Sequence, residues 1–341
     1  MRSFPCCRGP RGGCSPFSLP VWGAEKGLEV PMLTLTTSSG ALTTEVVTVK
    51  VWQLPLPGGL QLELVAIPGG EFLMGSPAQE KGRDAYSHMP ETTDVEVEAQ
   101  RRVRLPDFAM TRTPISQSHW LAVANLEPVE RLLNADPAQA KGSELPVECV
   151  SWNDAREWCA RLNRHLSHQL GEASAVVELP SEVQWEYACR AGSSTAFHFG
   201  DTIDAAWANY NAVFKYGVGK SGVYLNRITP VGAYGLVNRW GLADMHGNVW
   251  EWCQDLWHPS LDQGPTDGSA WLEPAADLPE TIGQQRLLRG GAWFVNPGRC
   301  RSACRIHVRP DDVNYDVGFR VVCYLQNPSV NPLIPQHLAA S

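Results

Sequence analysis

Residues 287–323 read LLRGGAWFVNPGRCRSACRIHVRPDDVNYDVGFRVVC. Two short runs frame this stretch: Arg289-Gly290-Gly291-Ala292-Trp293 at one end and Gly318-Phe319-Arg320-Val321-Val322 at the other. Each run carries an apolar strand signal, in LLRGGAWF and VGFRVVCY. The residues between them follow neither a helical nor a strand period. They mix Phe, Val, Ile, His, Tyr and Asp with two cysteines. Two kinds of site fit such a segment: a catalytic centre using the cysteines, or a binding surface whose side chains differ between copies.

The rest of the chain supplies the setting. LQLELVAIPGGEFLMGS (60–76) alternates apolar and polar residues around Pro68-Gly69-Gly70, which predicts two strands of a hairpin. Residues 77–100 are polar and aperiodic and read as a long loop. RRVRLPDFAMTRTPISQSHWLAVAN (101–125) starts as a strand and turns helical near Ser116, a residue suited to an N-cap. The clearest helix is PVECVSWNDAREWCARLNRHLSHQL (146–170), capped by Ser151 or Asn153, with Ala155, Trp158, Cys159 and Leu162 on one face. A second lies in LPSEVQWEYACRAG (179–192), with Ser181 as N-cap, Val183, Tyr187 and Ala188 inward, and Gly192 as C-cap. Residues 195–285 hold mostly turns and short strands.

These signals predict an α+β fold with two main helices, short antiparallel strands and low regular content. Residues 1–50 are expected to be a disordered tail, residues 51–325 a single domain, and residues 326–341 a C-terminal tail. With 43% hydrophobic residues, 19% charged and 341 in all, the chain has ordinary globular composition. Its net charge of −8 and lack of a basic block argue against a nucleic-acid partner. No apolar run reaches the length of a membrane span or a signal peptide, so a cytoplasmic protein is expected. The ten cysteines form no paired CxxC spacings and read as buried thiols in a reducing compartment.

Five ordered motifs carry a family resemblance: IPGGEFLMGS, PVECVSWNDAREWCARLN, LPSEVQWEYACRAG, WGLADMHGNVWEWCQD and LRGGAWF with CRSACR and GFRVV. Together they resemble the formylglycine-generating-enzyme (sulfatase-modifying factor) domain family over roughly residues 60–324. The resemblance implies an elaborated C-type lectin fold. The catalytic members oxidise a cysteine with copper held by two thiolates. Carried onto this chain, the first ligand position is Val295 and the second Cys300. A valine cannot bind a soft Cu(I) ion, so copper is not expected. If the chain is an enzyme, Cys300 and Cys304 are its candidates. The resemblance also implies a structural Ca2+ at Asp244, the carbonyls of Gly247 and Val249, and Glu251, an oxygen-rich set suited to that ion. The alternative there is a turn pinned by Trp250 and Trp252, with Glu251 paired to an arginine.

Within this family the quoted stretch resembles the variable proteins of diversity-generating retroelements. In those systems, adenine-directed mutagenesis turns asparagine codons into codons that never encode Lys, Glu, Gln, Met or Trp. Residues 294–317 contain none of the five, although these types make up 60 of the 341 residues and about four would be expected. The resemblance places Cys300-Arg301-Ser302-Ala303, Pro310 and Gly318-Phe319-Arg320 at constant positions. It makes Phe294, Val295, Asn296, Cys304, Ile306, His307, Val308, Val313, Asn314, Tyr315 and Asp316 the ligand-binding candidates. A protein ligand is expected, because exposed aromatic and apolar side chains dominate protein-binding sites. The alternative for Ile306, Val308 and Val317 is that they are core residues of a strand. A catalytic, formylglycine-generating type of oxidase is the alternative for the whole chain.

Overall fold

The computed structural model describes residues 26–36, 41–83, 97–170 and 175–325. Six strands form the main sheet: β1 (Lys26–Thr36), β2 (Ala41–Pro55), β3 (Gln61–Ile67), β6 (Phe108–Thr111), β12 (Val322–Leu325) and β7 (Ala175–Glu178), in that spatial order. All neighbours in it run antiparallel. A second sheet orders β10 (Ile306–Val308), β9 (Arg286–Arg289), β8 (Trp250–Leu256) and β11 (Val317–Gly318). Its β8–β11 pair is parallel. A two-stranded ribbon joins β4 (Gly70–Met74) to β5 (Arg101–Leu105).

The count of two main helices is corrected. Four helices lie among the described residues, three of them substantial. These are α1 (Gln117–Ala124), α2 (Trp152–Leu170) and α3 (Glu182–Arg190), followed by the single turn α4 (Glu280–Gly283). α1 is only eight residues long, too short for a helical period to stand out beside the longer helices. Its Ser116 N-cap accepts from the His119 N–H at 3.3 Å, and it buries Trp120, Val123 and Ala124. The α+β class and the low regular content stand.

The strand reading also changes. β3 and β4 are both present, but they do not form a hairpin: β3 pairs with β2 and β6, and β4 with β5. Pro68-Gly69 is a junction between sheets. A Cβ at Gly69 would meet the Leu105 carbonyl at 2.7 Å and the Asp107 nitrogen at 2.8 Å, so only glycine passes there. β1 and β2 are long and pair from Lys26↔Val51 to Thr36↔Ala41. The boundary expected at residue 51 therefore falls inside β2, and β1 lies within the stretch read as a tail. β2 carries the Thr- and Val-rich composition that favours strands.

α2 is positioned as its periodicity requires. Ser151 caps it, accepting from Asp154 N–H at 3.1 Å, and Ala155, Trp158, Cys159, Leu162 and Leu166 are buried. Trp158 and Trp120 both pack edge-on against Phe319 of the quoted stretch. α3 is capped by a full capping box between Ser181 and Gln184. Its C-cap is Ala191, at φ 45°, with Gly192 one residue further on. All nine residues of α3 are buried, including Glu182, Glu186 and Arg190, which share one face at four-residue spacing. Ser181→Ala removes the cap and the bond from its hydroxyl to the Gly268 carbonyl (2.7 Å). We expect a loss of about 1–2 kcal/mol of stability, read as a lower urea midpoint at unchanged slope.

Candidate functional site

Four arginines of the quoted stretch are buried: Arg289, Arg301, Arg305 and Arg320, none more than 1% exposed. Arg305 forks onto both oxygens of Glu182, at 2.5 and 2.8 Å. Arg289 reaches Glu186 and lies 3.5 Å from Glu182. Arg301 pairs with Glu98 at 2.7 and 2.8 Å and with Glu80 at 2.7 Å. Arg320 grips Glu251 at 2.6 and 2.8 Å and donates to the Ala243 carbonyl at 3.0 Å. Burial alone pushes the Glu182 carboxyl up, but Arg305 and Arg289 outweigh it and hold the group below its ordinary range. Each charge is thus met by an opposite charge in a fixed fork geometry. These pairs bolt the segment to α3, to β8 and to the residues beside β4 and β5.

Between the bolts, the ligand-binding candidates differ in their surroundings. Phe294 and Tyr315 join Trp293 in an aromatic cluster, with ring centroids 5.3–5.8 Å apart. Asn296, Val313 and Tyr315 are exposed, and Asn314 is half-buried beside them. Ile306, His307 and Val308 form β10, half-buried against β9. The His307 ring stacks on Trp257 at 4.1 Å and its Nδ1 meets Gln285. The candidates Val295, Cys304 and Asp316 are buried, which corrects their reading as surface residues. A tight turn, Val295 N–H to Ala292 carbonyl at 3.2 Å, directs Val295 into the core. Cys304 sits on the next turn, between the bolted Arg301 and Arg305. The Asp316 carbonyl accepts from Trp250, and burial pushes its carboxyl up to about 6.

One partner of the cluster was not legible in the segment. Tyr224 stacks on Trp293, centroids 6.1 Å apart and planes 15° apart. It lies far upstream, in a loop with no periodic signal. Trp293 itself belongs to a frame run, just outside residues 294–317, yet it is the centre of the aromatic cluster.

The metal readings meet these geometries. Val295 takes the first copper position with a packed side chain, and Cys300 is fully buried. The Cys300 sulfur lies where a Cβ on Gly291 would approach to 2.5 Å, and burial pushes its thiol far up. These two positions do not supply the pair of thiolates a Cu(I) ion needs. In the calcium loop, both oxygens of Glu251 are engaged by Arg320, and one also accepts from Trp185 Nε1 at 2.7 Å. Asp244, at φ 55°, accepts from Gly232 N–H at 2.6 Å, and burial raises its carboxyl to about 6. With both Glu251 oxygens committed to Arg320, the loop does not offer the free pair of carboxylates that a calcium cage needs. Glu251 instead forms the arginine pair that was the alternative reading. Among the described residues, no group of three or more His, Cys, Asp or Glu side chains is placed to hold a metal.

His246 closes the rear of the site. Its Nδ1 faces the Cys300 carbonyl at 2.8 Å, and its Nε2 accepts from His198 N–H at 3.0 Å. A carbonyl only accepts and an amide only donates, so the ring is neutral with its proton on Nδ1. The Phe197 and Phe199 rings pack on it, both at 5.3 Å. The Cys189 sulfur lies 3.8 Å from Nε2 and 3.6 Å from Ser302 Oγ, but burial raises that thiol to about 12, so it is no nucleophile at neutral pH.

The comparisons with known proteins agree on one domain family. The sulfatase-modifying factor enzyme 1-like domain matches residues 59–325, and the chain belongs to that family. One relative, named inactive C-alpha-formylglycine-generating enzyme 2, from Mus musculus, is 28% identical over 75% of this chain and 84% of its own length. The structure of PvdO from Pseudomonas aeruginosa aligns with a TM-score of 0.60 and 29% identity, covering 78% of this chain and 95% of that one. Treponema denticola variable protein 1 aligns with a TM-score of 0.55 and 22% identity over 80% and 98%, a likeness of fold alone. No helix among the described residues is long and apolar enough to cross a membrane.

Two outcomes test this geometry. Glu182→Ala removes the carboxylate on which Arg305 forks and which lies beside Arg289, leaving their buried charges less compensated, and should lower unfolding free energy by about 3–5 kcal/mol. Arg102→Ala, which breaks a largely exposed pair with Glu71, should change it by less than about 1 kcal/mol. For His246, burial lowers the folded pKa to about 4, against an ordinary value of about 6.5. Protons then favour the unfolded chain. The stability His246 contributes is complete above about pH 6.5 and is lost as pH falls toward 4. Asp244 and Asp316, raised to about 6, act in the opposite sense. Imidazole 1H–15N spectra of the chain and of a His246→Gln variant isolate the histidine: the ring signal lost in the variant should stay neutral, protonated on Nδ1, well below pH 6.

Proposed function

We propose that this chain is a non-enzymatic, protein-binding member of its family, and that residues 294–317 are a diversified binding surface of the retroelement type. One observation carries this reading. The frame arginines of the segment are buried and paired, while Phe294, Asn296, His307, Val313 and Tyr315 between them are half-buried or exposed. A scaffold held by its own buried pairs tolerates exchange of the side chains it presents. The composition of 294–317, free of the five residue types adenine-directed mutagenesis does not yield, supports the same reading. So does the burial of Cys300 beside a valine at the first copper position. The seven described cysteines are free thiols, which suits the cytoplasm.

The test is the DNA around the 3′ end of the gene. We expect a near-copy of the codons for residues 289–322, differing almost only at adenines, beside a reverse transcriptase gene. Absence of that copy, together with copper-dependent oxidation of a cysteine in a sulfatase peptide by the purified chain, would establish the catalytic alternative instead.

A further inference from the structure

The aromatic cluster continues into a neighbouring loop. Both ends of residues 211–224 touch the 293–295 stretch: Asn211 N–H donates to the Val295 carbonyl at 3.0 Å, and Tyr224 stacks on Trp293. The loop is closed on itself by Gly222 N–H to the Ala212 carbonyl at 2.7 Å and anchored by Tyr216, whose hydroxyl donates to the Lys81 carbonyl at 2.6 Å. Most of its other apolar side chains face solvent, Ala212 being buried. Val218 is 93% exposed, Val223 74% and Phe214 54%, and Val213 and Leu225 are also exposed. Apolar side chains grouped in this way on one loop mark an interaction site more often than scattered ones do.

The charge of this loop is opposite to that of the chain. Residues 205–243 contain Lys215, Lys220, Arg227 and Arg239 and no Asp or Glu, in a protein of net charge −8. Lys215, Lys220 and Arg227 are exposed. Carboxylates in adjoining turns are already engaged: Asp201 accepts from Ala196 N–H, Asp312 pairs with Arg309, and Asp311 accepts from Asn153.

We infer that Tyr224, Trp293 and the basic loop 211–227 form a fixed half of the binding surface, and that its partner is a protein segment presenting acidic residues around an apolar or aromatic anchor. The inference rests on the proposed binding role of 294–317 and extends it to residues outside that segment. Trp293 with Tyr224 offers a rigid aromatic shelf of the kind that anchors protein interfaces. The lysines add attraction for carboxylates that weakens with salt. Phe214, Tyr224 and Trp293 offer ring faces, but the other exposed apolar residues of the loop are aliphatic and the chain carries a net charge of −8, which favours a protein over a single-stranded nucleic acid.

The experiment selects a phage-displayed random dodecapeptide library on the purified full chain. Enriched peptides should carry Asp or Glu flanking a large apolar residue. Their binding should fall about tenfold in Tyr224→Ala and in the doubly substituted Lys215→Glu, Lys220→Glu chain, and should weaken at high salt. The lysine variants alter exposed side chains only, so they remain informative if Tyr224→Ala misfolds. Enriched peptides that are neutral or basic, or that ignore these substitutions, overturn the inference. So does Tyr224-dependent binding of an oligothymidylate in place of peptides. Loss in Phe294→Ala and Tyr315→Ala, but not in the loop variants, would leave the binding role of 294–317 standing and sink the loop. Loss in the loop variants alone would do the reverse. No enrichment at all would count against both.

Discussion

The pairing of buried arginines with buried glutamates is the constraint on which the site depends. Glu182 and Glu186 lie one helical turn apart on α3, inside the protein, where an unpaired carboxylate would be strongly disfavoured. Arg289 and Arg305 answer them from two points of one segment, and Arg289 also donates to the Cys304 carbonyl. The segment therefore enters and leaves α3 at fixed places. Arg301 and Arg320 repeat the arrangement on Glu98 and Glu251. Buried ion pairs are weak stabilisers relative to well-packed apolar residues. What they supply here is position: a fork onto a carboxylate admits one orientation, whereas an apolar contact admits several.

That position explains how an aperiodic stretch keeps a single course. Between Arg289 and Arg320 the chain makes little regular structure beyond β10, β11 and one 3-10 turn. Irregular backbone must still satisfy its polar groups. It does so through the bolts: the Gly298 carbonyl accepts from Arg301, the Cys304 carbonyl from Arg289, and the Cys300 carbonyl from His246. None of these contacts uses the side chain of an exposed candidate. Exchange of Phe294, Asn296 or Tyr315 leaves every one of them in place.

Much of the scaffold was legible in the sequence. The capping signals at Ser116, Ser151 and Ser181 and the apolar face of α2 are local, and local patterns survive folding. What was not legible is non-local. The alternation around Pro68-Gly69 specifies two strands but not their partners, which depend on β2, β5 and β6. Arginine is ordinarily a surface residue, so nothing in CRSACR marks Arg301 and Arg305 as core. Once they turn inward, Cys304 between them is carried in as well. Tyr224 meets Trp293 only through the tertiary fold, and no spacing rule could have joined them.

The same geometry grades the segment's freedom to vary. Asn296, Val313 and Tyr315 are exposed on turns, where most side chains cost little. Ile306 and Val308 are half-buried in β10, paired with Leu288 and Arg286, so replacements there must keep β-propensity and fill similar space. Val295, Cys304 and Asp316 are inside, where a change of volume opens a cavity or forces strain. Coding freedom and structural freedom therefore diverge. Under the proposed diversification, exchange at Val295 is restricted by packing, while Trp293, within the frame run, is half-buried and central to the aromatic cluster. On the proposed function, recognition would combine the Trp293–Tyr224 pair with changeable side chains around it. Phe294 and Tyr315 pack on Trp293, so exchange at those two positions reshapes the aromatic cluster itself, whereas exchange at Asn296 or Val313 leaves its ring contacts in place.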